Sequence, residues 1–265
     1  MDWNEILERV CSLVKEDGRR ILAMKRPEVF EKEGHANFVT SADLASQSFL
    51  LEGLAPLVPG AHFFAEEQEE HVLAPGYNWL IDPIDGTTNF MRGLQCSSIS
   101  VGLVNDGKAV LGVVYQFYSD ELFYAVRGKG AFLNGKPIHA ADTPCDRALI
   151  EVGTSPYLTA FHAATAAIMH KALSCCGDLR RSGSAAVDLC AIAAGRADAF
   201  VEVRLSPWDY AASSVILEEA GAQITSCAPF TLDFQNSTPV IAGAGEAFDF
   251  VCRTAAAVLS GEGGA

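Results

Sequence analysis

The sequence predicts a layered α/β protein with α+β character, built from two regions that meet near residue 146. The chain has 265 residues, of which 49% are hydrophobic, so it can bury a sizeable core in one large domain or two modest ones. From residue 95 to 126 the pattern is mostly β, with alternating apolar positions. After residue 146 short apolar runs alternate with helix-length segments, which is typical of an α/β unit. We therefore expect an N-terminal α+β subdomain (1–145) and a C-terminal α/β subdomain (146–265).

Two helices are expected ahead of the first strand of the main sheet. Residues 3–25 carry apolar side chains at helical spacing and form an amphipathic helix. A polar stretch at 31–37 follows as a loop. Thr40 or Ser41 then caps a second helix that continues to about residue 54.

The β elements are indicated by short apolar or alternating runs between turn residues. Strands are expected at 63–65, 78–81, 98–104, 108–118, 121–126, 149–152, 199–203, 224–225 and 240–242. Later helices are expected at 159–173, 184–194, 209–220 and 247–259, with a frayed tail at 261–265. Gly128 and Gly130 are assigned to the Asn134-Gly135 hairpin rather than to a phosphate-binding loop, because no helix start follows them.

The charge balance limits the partners of this protein. The formal net charge is −14 at pH 7, so the surface repels nucleic acid and anionic membranes. It also repels a phosphorylated substrate unless bound cations reverse the local sign. The N-terminus lacks the layout of a signal peptide, and no apolar run approaches the ~20 residues of a membrane span. The eight cysteines form no Cys-x-x-Cys pair and no zinc-ligand spacing with histidine, so a reduced, cytoplasmic setting is expected.

The most informative stretch is Trp79–Phe90, which reads Trp-Leu-Ile-Asp-Pro-Ile-Asp-Gly-Thr-Thr-Asn-Phe. Its apolar start indicates the end of a buried strand, and Asp82 and Asp85 follow around a proline. After Gly86, two threonines and an asparagine are typical of a helix start. Carboxylates at a strand end offer oxygen ligands to hard cations, and a helix N-terminus offers amide donors to phosphate. The strict order indicates metal-assisted phosphate chemistry, although Asp-Gly and Thr-Asn are also ordinary turn and cap residues.

Four further acidic positions and one small-residue segment have both a functional and a plain structural interpretation. Asp209 begins a predicted helix and could cap it, and Asp43 lies in a first helical turn. Glu66 belongs to an acidic run but directly follows apolar residues at a strand end, where ligands of α/β proteins bind. Glu202 ends an apolar strand, and residues 183–185 could simply start a helix. None of these residues decides the function alone.

Together, these segments resemble the inositol monophosphatase family of magnesium-dependent phosphatases over about residues 5–255. Trp79–Phe90 resembles the first family signature, and the segment from Trp208 to Ala222 resembles the second. Three further elements match in order: Val39–Asp43, Glu66-Glu67 and Gly183–Ala186. The resemblance implies an αβαβα sandwich of the sugar phosphatase type, usually a homodimer. It also implies two or three Mg²⁺ ions, sensitivity to lithium, and a small phosphorylated polyol or sugar as substrate.

The resemblance implies roles for individual residues as well. Asp43 and Thr87 would orient and help to deprotonate the attacking water, and Glu66 would join them in catalysis. The amides of Gly86 and Thr87 would hold the phosphate. The implied metal ligands are Glu66, Asp82, Asp85, Asp209 and the carbonyl of Ile84. The implied contacts to substrate hydroxyls come from Asp85, Gly183, Ser184, Ala185, Glu202 and Asp209.

The substrate is less closely defined by the sequence than the reaction. We expect myo-inositol monophosphate, because Glu202 can accept hydrogen bonds from hydroxyls and would repel a second phosphate. The alternatives are fructose 1,6-bisphosphate, an adenosine 3′,5′-bisphosphate, histidinol phosphate and NADP, and Arg204 could favour a substrate with an extra anionic group. A non-catalytic binding protein on the same scaffold would be expected to have lost a metal ligand, and this sequence has lost none.

Overall fold

The computed structural model describes residues 1–32, 37–227 and 231–261. Within these ranges the chain forms seven α-helices and fourteen β-strands. The helices are α1 (Trp3–Ala23), α2 (Ser41–Leu54), α3 (Thr87–Arg92), α4 (His162–Cys175), α5 (Ala185–Ala193), α6 (Pro207–Glu219) and α7 (Gly245–Leu259). The strands are β1 (Val29–Glu31), β2 (Phe38–Thr40), β3 (His62–Ala65), β4 (Tyr77–Asp85), β5 (Ser98–Asn105), β6 (Lys108–Gln116), β7 (Glu121–Val126), β8 (Ala131–Leu133), β9 (Lys136–Pro137), β10 (Leu149–Val152), β11 (Asp178–Arg180), β12 (Ala199–Leu205), β13 (Gln223–Thr225) and β14 (Thr238–Gly243).

The larger sheet has seven strands in the order β3-β4-β5-β6-β7-β8-β9. Strands β3 and β4 are parallel, and the later neighbours are antiparallel. In the turn between β5 and β6, Asp106 and Gly107 both have positive φ, as a tight hairpin requires. Gly128 and Gly130 lie in the β7–β8 turn, where their amides each donate to a carboxylate oxygen of Glu219 at 2.7 Å. They therefore serve a hairpin turn, as expected, but it is the turn between β7 and β8, whereas Asn134 and Gly135 lie in the next turn, between β8 and β9.

The smaller sheet has five strands in the order β11-β10-β12-β14-β13. Strand β10 runs parallel to both β11 and β12, whereas β14 is antiparallel to its neighbours β12 and β13. The carboxyl ends of β10, β11 and β12 therefore lie at one edge of this sheet. That edge faces the end of β4 across the cavity described below.

The elements stack in five layers, αβαβα, as the resemblance implied. Helices α1 and α2 cover the outer face of the larger sheet, and α4 and α7 cover the outer face of the smaller one. Helices α5 and α6 lie between the sheets, around a core that includes Leu80, Phe200 and Ile216. Large apolar side chains in this core are fully buried, and each stabilises the fold by ~1.5–3 kcal/mol relative to exposure.

Several boundaries differ from the sequence expectation. Strands β1, β2 and β11 were not expected, because three-residue strands are too short to show a period. Strand β4 continues to Asp85 rather than ending at Ile81, because the polar end of this strand still pairs with β5. Residues 33–36, within the expected loop, and 262–265, within the expected tail, lie outside the described residues. None of the described helices is long and apolar enough to cross a membrane.

Candidate active site

Two of the site carboxylates are placed by an irregularity at the end of β4. The strand pairs with β5 up to Asp82, and its register then shifts before Asp85 pairs with Ser98. Pro83 lies within this register shift. Because proline has no backbone N–H, the interruption of the ladder leaves no amide donor unpaired at this residue. The amide of Ile84 donates to Oδ1 of Asp82 at 3.0 Å, which holds that side chain against the backbone. Asp82 and Asp85 are both buried.

Gly86 turns the chain from β4 into the short helix α3. Its φ of 89° lies in the left-handed region that glycine adopts without strain. A Cβ at this position would lie 3.1 Å from the carbonyl oxygen of Cys96 and 3.2 Å from that of Gly183. The residue therefore permits a close approach of three backbone segments, and it places the first amides of α3 beside Asp85.

Asp209 reaches the same place from helix α6. The sequence allowed it to be the helix cap, but the helix begins two residues earlier and Ser206 is the cap. Asp209 is the third helical residue, and its Oδ2 accepts from the amide of Ser206 at 2.9 Å in a capping box. One carboxylate oxygen each of Asp82, Asp85 and Asp209 lie within 4.8 Å of one another. Three carboxylates from two segments far apart in the sequence thus converge.

These three carboxylates form an electrostatically costly group. Burial raises the pKa of Asp82 and Asp209, and repulsion from neighbouring carboxylates raises it further. Burial also raises the pKa of Asp85, against the hydrogen bonds it accepts from Ser184 and Ala186. Among the residues that the structure describes, no lysine, arginine or histidine forms an ion pair with any of the three. The site consequently favours the binding of cations.

Glu66 lines the same cavity but has a partner of its own. Its amide donates to the carbonyl of Ile81 at 3.0 Å, so the residue directly extends the β3–β4 pairing. Lys32 Nζ lies 3.1 Å from Oε1 of Glu66 and also binds Glu67. Burial is the main cause that raises the pKa of Glu66, to about 7, and Lys32 opposes that shift. The sequence analysis missed Lys32, because a lone lysine in a polar loop has no distinguishing pattern.

Asp43 and Thr87, the two residues proposed to orient the attacking water, are in contact. Thr87 Oγ1 lies 3.3 Å from Oδ1 of Asp43 and 3.2 Å from the carbonyl oxygen of Ile84. The other oxygen of Asp43 accepts from the amide and the hydroxyl of Thr40, the cap of α2. Asp43 is fully buried, and that burial raises its pKa. The single hydroxyl proton of Thr87 can be donated to either of these two acceptors. The O–H bond of Thr87 therefore points toward Asp43 or Ile84.

The opposite wall of the cavity comes from the second half of the chain. Ser184 Oγ donates to Oδ2 of Asp85 at 2.6 Å, and the amide of Ala186 donates to the same oxygen at 2.7 Å. Glu202, on β12, is buried, and its pKa is raised by that burial to about 7. The cavity has a volume of about 500 Å³. Its lining includes the proposed ligand and substrate residues Glu66, Asp82, Ile84, Asp85, Gly86, Thr87, Gly183, Ser184, Ala185, Glu202 and Asp209.

The cavity also contains residues that the sequence analysis did not single out. Arg181, Asp188 and Tyr157 line it, and Arg181 makes no ion pair among the described residues. The Arg180-Arg181 pair just before Gly183 was a signal that could have been noticed. Arg204, which the sequence analysis considered for an extra anionic group, has an exposed side chain and lines a different cavity. Arg204 follows Glu202 by two residues on β12, and in a regular strand the two side chains would share a face. The register of β12 shifts between Glu202 and Leu205, and the two residues line different cavities.

Known proteins share this arrangement of chain segments. The model of the inositol monophosphatase family matches residues 4–260. The chain belongs to the inositol monophosphatase family. Members of this family with curated names include an inositol-1-monophosphatase of Bacillus subtilis, which is 31% identical over 247 residues, 91% of this chain and 93% of that protein.

Other family members carry different names. A fructose-1,6-bisphosphatase/inositol-1-monophosphatase of Aquifex aeolicus is 32% identical and aligns with 87% of this chain and 86% of its own length. Escherichia coli Nus factor SuhB is 36% identical over 197 residues, 73% of each chain. Among solved structures, an IMPase of Thermotoga maritima superposes with a TM-score of 0.86 at 30% identity, covering 97% of this chain and 99% of its own. Family membership therefore supports a phosphatase and leaves the substrate to be proposed.

The donor set fits a hard divalent cation. Asp82, Asp85 and Asp209 offer carboxylate oxygens only, and carboxylates are the side chains that bind Mg²⁺. Neither cysteine nor histidine is among the residues that line the described part of the cavity, which disfavours a zinc site. Burial and repulsion from neighbouring carboxylates raise the pKa of Asp82 and Asp209, so positive charge placed among these acids would be stabilising. A bound cation would supply it.

Proposed function

We propose that this protein is a Mg²⁺-dependent phosphatase that hydrolyses a small phosphate monoester, myo-inositol monophosphate, to the alcohol and inorganic phosphate. The observation that carries the proposal is the convergence of Asp82, Asp85 and Asp209, without a cationic partner among the described residues, beside the first amides of α3. A phosphate dianion would be repelled by these acids alone. It is attracted once divalent ions have reversed the local charge.

Two or three Mg²⁺ ions are proposed to bind Glu66, Asp82, Asp85, Asp209 and the carbonyl of Ile84. When bound, Mg²⁺ supplies a Lewis acid that lowers the pKa of water and offsets negative charge on the phosphoryl and leaving oxygens. Asp82 and Asp85 lie at the end of strand β4 and Asp209 in the first turn of α6, so the ligands are held by rigid backbone. Binding would return the pKa values of these acids toward and below their ordinary range.

Thr87 and Asp43 are proposed to orient the attacking water. Asp43 is fixed by the two donors of Thr40 and can accept the Thr87 hydroxyl proton on its other oxygen. That leaves the lone pairs of Thr87 Oγ1 available to a water in the cavity, which both residues would align with phosphorus. The proton that leaves this water would pass to a carboxylate that lines the cavity, and Glu66 is the proposed acceptor.

The substrate would lie between the two halves of the chain. The amides of Gly86 and Thr87 are proposed to hold the phosphate, as the start of a helix does. The polyol would meet Asp85, Gly183, Ser184, Ala185, Glu202 and Asp209, all of which line the cavity. Acceptors predominate among these side chains, and acceptors recognise the hydroxyls of a neutral ring. Catalysis would rest on positioning and electrostatic stabilisation, without a covalent phosphoenzyme.

A second candidate is a substrate with two phosphates, such as fructose 1,6-bisphosphate. The guanidinium of Arg181, which lines the cavity and makes no ion pair with a described residue, favours it, as does the name of the Aquifex relative. The buried carboxylate of Glu202, which lines the same cavity, opposes the binding of a second anion beside it. The name of the Escherichia coli relative, Nus factor SuhB, suggests a non-catalytic role as a further alternative. Such a role would not require all the proposed metal ligands, and all of them are present in this chain.

Partner and compartment are proposals of the same kind. We propose a homodimer in the cytoplasm that is inhibited by lithium and has neither nucleic acid nor membrane as a partner. The net charge of −14 opposes both of the excluded partners. The homodimer is proposed from the family to which the chain belongs. Light scattering of the purified chain at several concentrations tests the dimer.

The experiment that tests the function is phosphate release from a panel of esters, with Mg²⁺ and with EDTA. The panel contains myo-inositol 1-phosphate, fructose 1,6-bisphosphate, NADP, adenosine 3′,5′-bisphosphate, histidinol phosphate and p-nitrophenyl phosphate. We expect Mg²⁺-dependent release with the highest kcat/KM on the inositol ester. Preference for a bisphosphate would select the second candidate, and no release from any ester would select a non-catalytic protein.

A further inference from the structure

Ser155 clamps the carboxylate of Glu202 from two directions. Its backbone amide and its hydroxyl each donate to Oε1 of Glu202, both at 2.8 Å. The hydroxyl oxygen also lies 2.8 Å from the carbonyl oxygen of Arg204, two residues further along β12. Ser155 is 1% exposed and Glu202 7% exposed, so water cannot easily replace these bonds.

Gly153 closes the clamp from the other side. A Cβ at this position would lie 1.8 Å from Oε2 and 2.2 Å from Cδ of Glu202, which is closer than two non-bonded atoms can approach. The carboxylate of Glu202 therefore rests directly on the backbone of the segment that follows β10. Any side chain at residue 153 would push it out of place.

The backbone of Ser155 is held in an unfavourable conformation. Its φ is 37°, in the left-handed region that residues with a side chain rarely adopt. Such a conformation persists where its surroundings impose it, and it occurs most often at functional sites. Here the conformation directs both donors of Ser155 at one oxygen of Glu202.

The two oxygens of Glu202 consequently have different surroundings. Oε1 accepts both bonds from Ser155, whereas Oε2 makes no hydrogen bond with the described residues. Glu202 lines the cavity together with Gly153 and Thr154. An oxygen that is fixed in place and still has its lone pairs can accept a hydrogen bond from a hydroxyl of a bound ligand.

We propose that Ser155 is a positioning residue that sets the selectivity of this site for polyhydroxylated phosphate esters, by holding Glu202 so that one carboxylate oxygen meets a substrate hydroxyl. The inference rests on the proposed function. Without the hydrogen bonds from Ser155, the side chain of Glu202 could adopt several conformations. Substrate binding would then have to order this side chain, which costs binding free energy. Ser155 itself is not among the residues that line the cavity, and its hydrogen bonds go to Glu202 and Arg204 rather than to a proposed metal ligand.

The test uses three variants and two substrates of the full-length protein with Mg²⁺. Ser155→Ala and Ser155→Gly remove the hydroxyl, and Gly153→Ala displaces the carboxylate. The substrates are myo-inositol 1-phosphate and p-nitrophenyl phosphate, whose alcohol has no ring hydroxyl to offer. We expect each variant to lower the ratio of kcat/KM for the first substrate to that for the second by about tenfold, the usual effect of one hydrogen bond to a charged group. The loss should lie mainly in KM of the inositol ester.

Ser155→Gly separates positioning from stability. Glycine adopts a φ of 37° without strain, so this variant should unfold at a temperature at least as high as that of Ser155→Ala. A positioning role predicts the same loss of selectivity in both. If the ratio instead followed the unfolding temperature from variant to variant, Ser155 would be structural and the inference overturned. Adding Ser155→Gly to a Glu202→Gln variant should change the ratio by less than about twofold relative to Glu202→Gln alone. The second change adds little because the two residues act as a unit.

Ser226→Ala is the matched control. It also removes a buried hydroxyl, one that lies 2.6 Å from the hydroxyl of Thr238 and does not line the cavity of Glu202. Its selectivity ratio should equal that of the wild type. Should the wild type hydrolyse p-nitrophenyl phosphate but show no preference for the inositol ester, the proposed substrate class fails and the inference with it. If the wild type shows the preference and all three variants keep it, the inference alone fails.

Discussion

The hydroxyl of Ser184 donates to Oδ2 of Asp85 at 2.6 Å and joins residues 99 positions apart. Asp85 ends a strand of the larger sheet, and Ser184 precedes helix α5, which lies between the two sheets. The amide of Ala186 donates to the same oxygen. The second half of the chain therefore sets the orientation of a proposed metal ligand in the first half.

Ser184→Ala should lower kcat/KM for the preferred ester by roughly tenfold, because one of the two donors to Asp85 is lost. The amide of Ala186 remains, so the fold and some activity should survive. Steady-state kinetics at saturating Mg²⁺ measure this effect. Ser184→Thr keeps the hydroxyl and should retain most of the activity. An alanine variant as active as the threonine variant would show that the hydroxyl bond is dispensable.

Asp82→Asn should abolish turnover, because a neutral amide cannot replace a carboxylate that binds cations. The same change should raise the unfolding temperature in EDTA, since it removes one of several buried acids that repel one another. It should also remove most of the increase in unfolding temperature that Mg²⁺ causes in the wild type. Differential scanning calorimetry with EDTA and with Mg²⁺ measures both effects. Near-wild-type turnover in this variant would refute the assignment of the site.

Thr87→Ala should lower kcat by roughly 100-fold or more, as the loss of a water-orienting group does. KM should change far less, because the phosphate would still meet the amides of α3 and the metal ions. Thr87→Ser preserves the hydroxyl beside Asp43 and should recover much of the rate. A defect confined to KM would assign Thr87 to substrate binding rather than to the water.

The free energy of unfolding in EDTA should fall as pH rises from about 5 to about 7. Burial raises the pKa of both Glu66 and Glu202 to about 7 in the folded protein, against an ordinary value of 4.5. A raised pKa means that the folded state binds the proton more tightly. The stability that this adds is fully present below the unfolded pKa and is lost as pH rises through the folded one.

Denaturant titrations at several pH values measure this slope. Glu202→Gln should reduce it, because the amide does not titrate. Saturating Mg²⁺ should also reduce it or reverse it, since metal ions favour the ionised carboxylates. The acids whose pKa is lowered, Glu121, Asp178 and Asp233, titrate below this range and cannot produce the effect. A rise in stability between pH 5 and 7 in EDTA would contradict the charge balance described for the site.

The sequence predicted the layers of the fold and the proximity of several site residues better than it predicted local geometry. The Asp-Pro-Ile-Asp-Gly-Thr-Thr order placed Asp82 and Asp85 at the end of a strand, and both lie there. That β4 runs on to Asp85 was not expected, since a polar strand end has no apolar period. Asp209 was expected to begin its helix, but a capping box with Ser206 moves the start two residues earlier.

The residues that sequence reasoning missed act through distant partners. Lys32 lies in a polar stretch directly after β1, and its contact with Glu66 depends on how the ends of β1 and β3 are placed in the fold. Ser155 has no motif, and its bonds to Glu202 arise where β10 and β12 run side by side. Neither relationship leaves a trace in local spacing. Both follow from tertiary packing, which the pattern of one segment does not encode.

The central claim is that Asp82, Asp85 and Asp209 hold divalent cations on which phosphate hydrolysis depends. The most direct measurement is anomalous diffraction from crystals grown with Mn²⁺ and phosphate. The claim predicts anomalous peaks within bonding distance of all three carboxylates, with phosphate at the start of α3. Crystals of the wild type that bind Mn²⁺ elsewhere, or show no peak at these residues under conditions that support turnover, would contradict it.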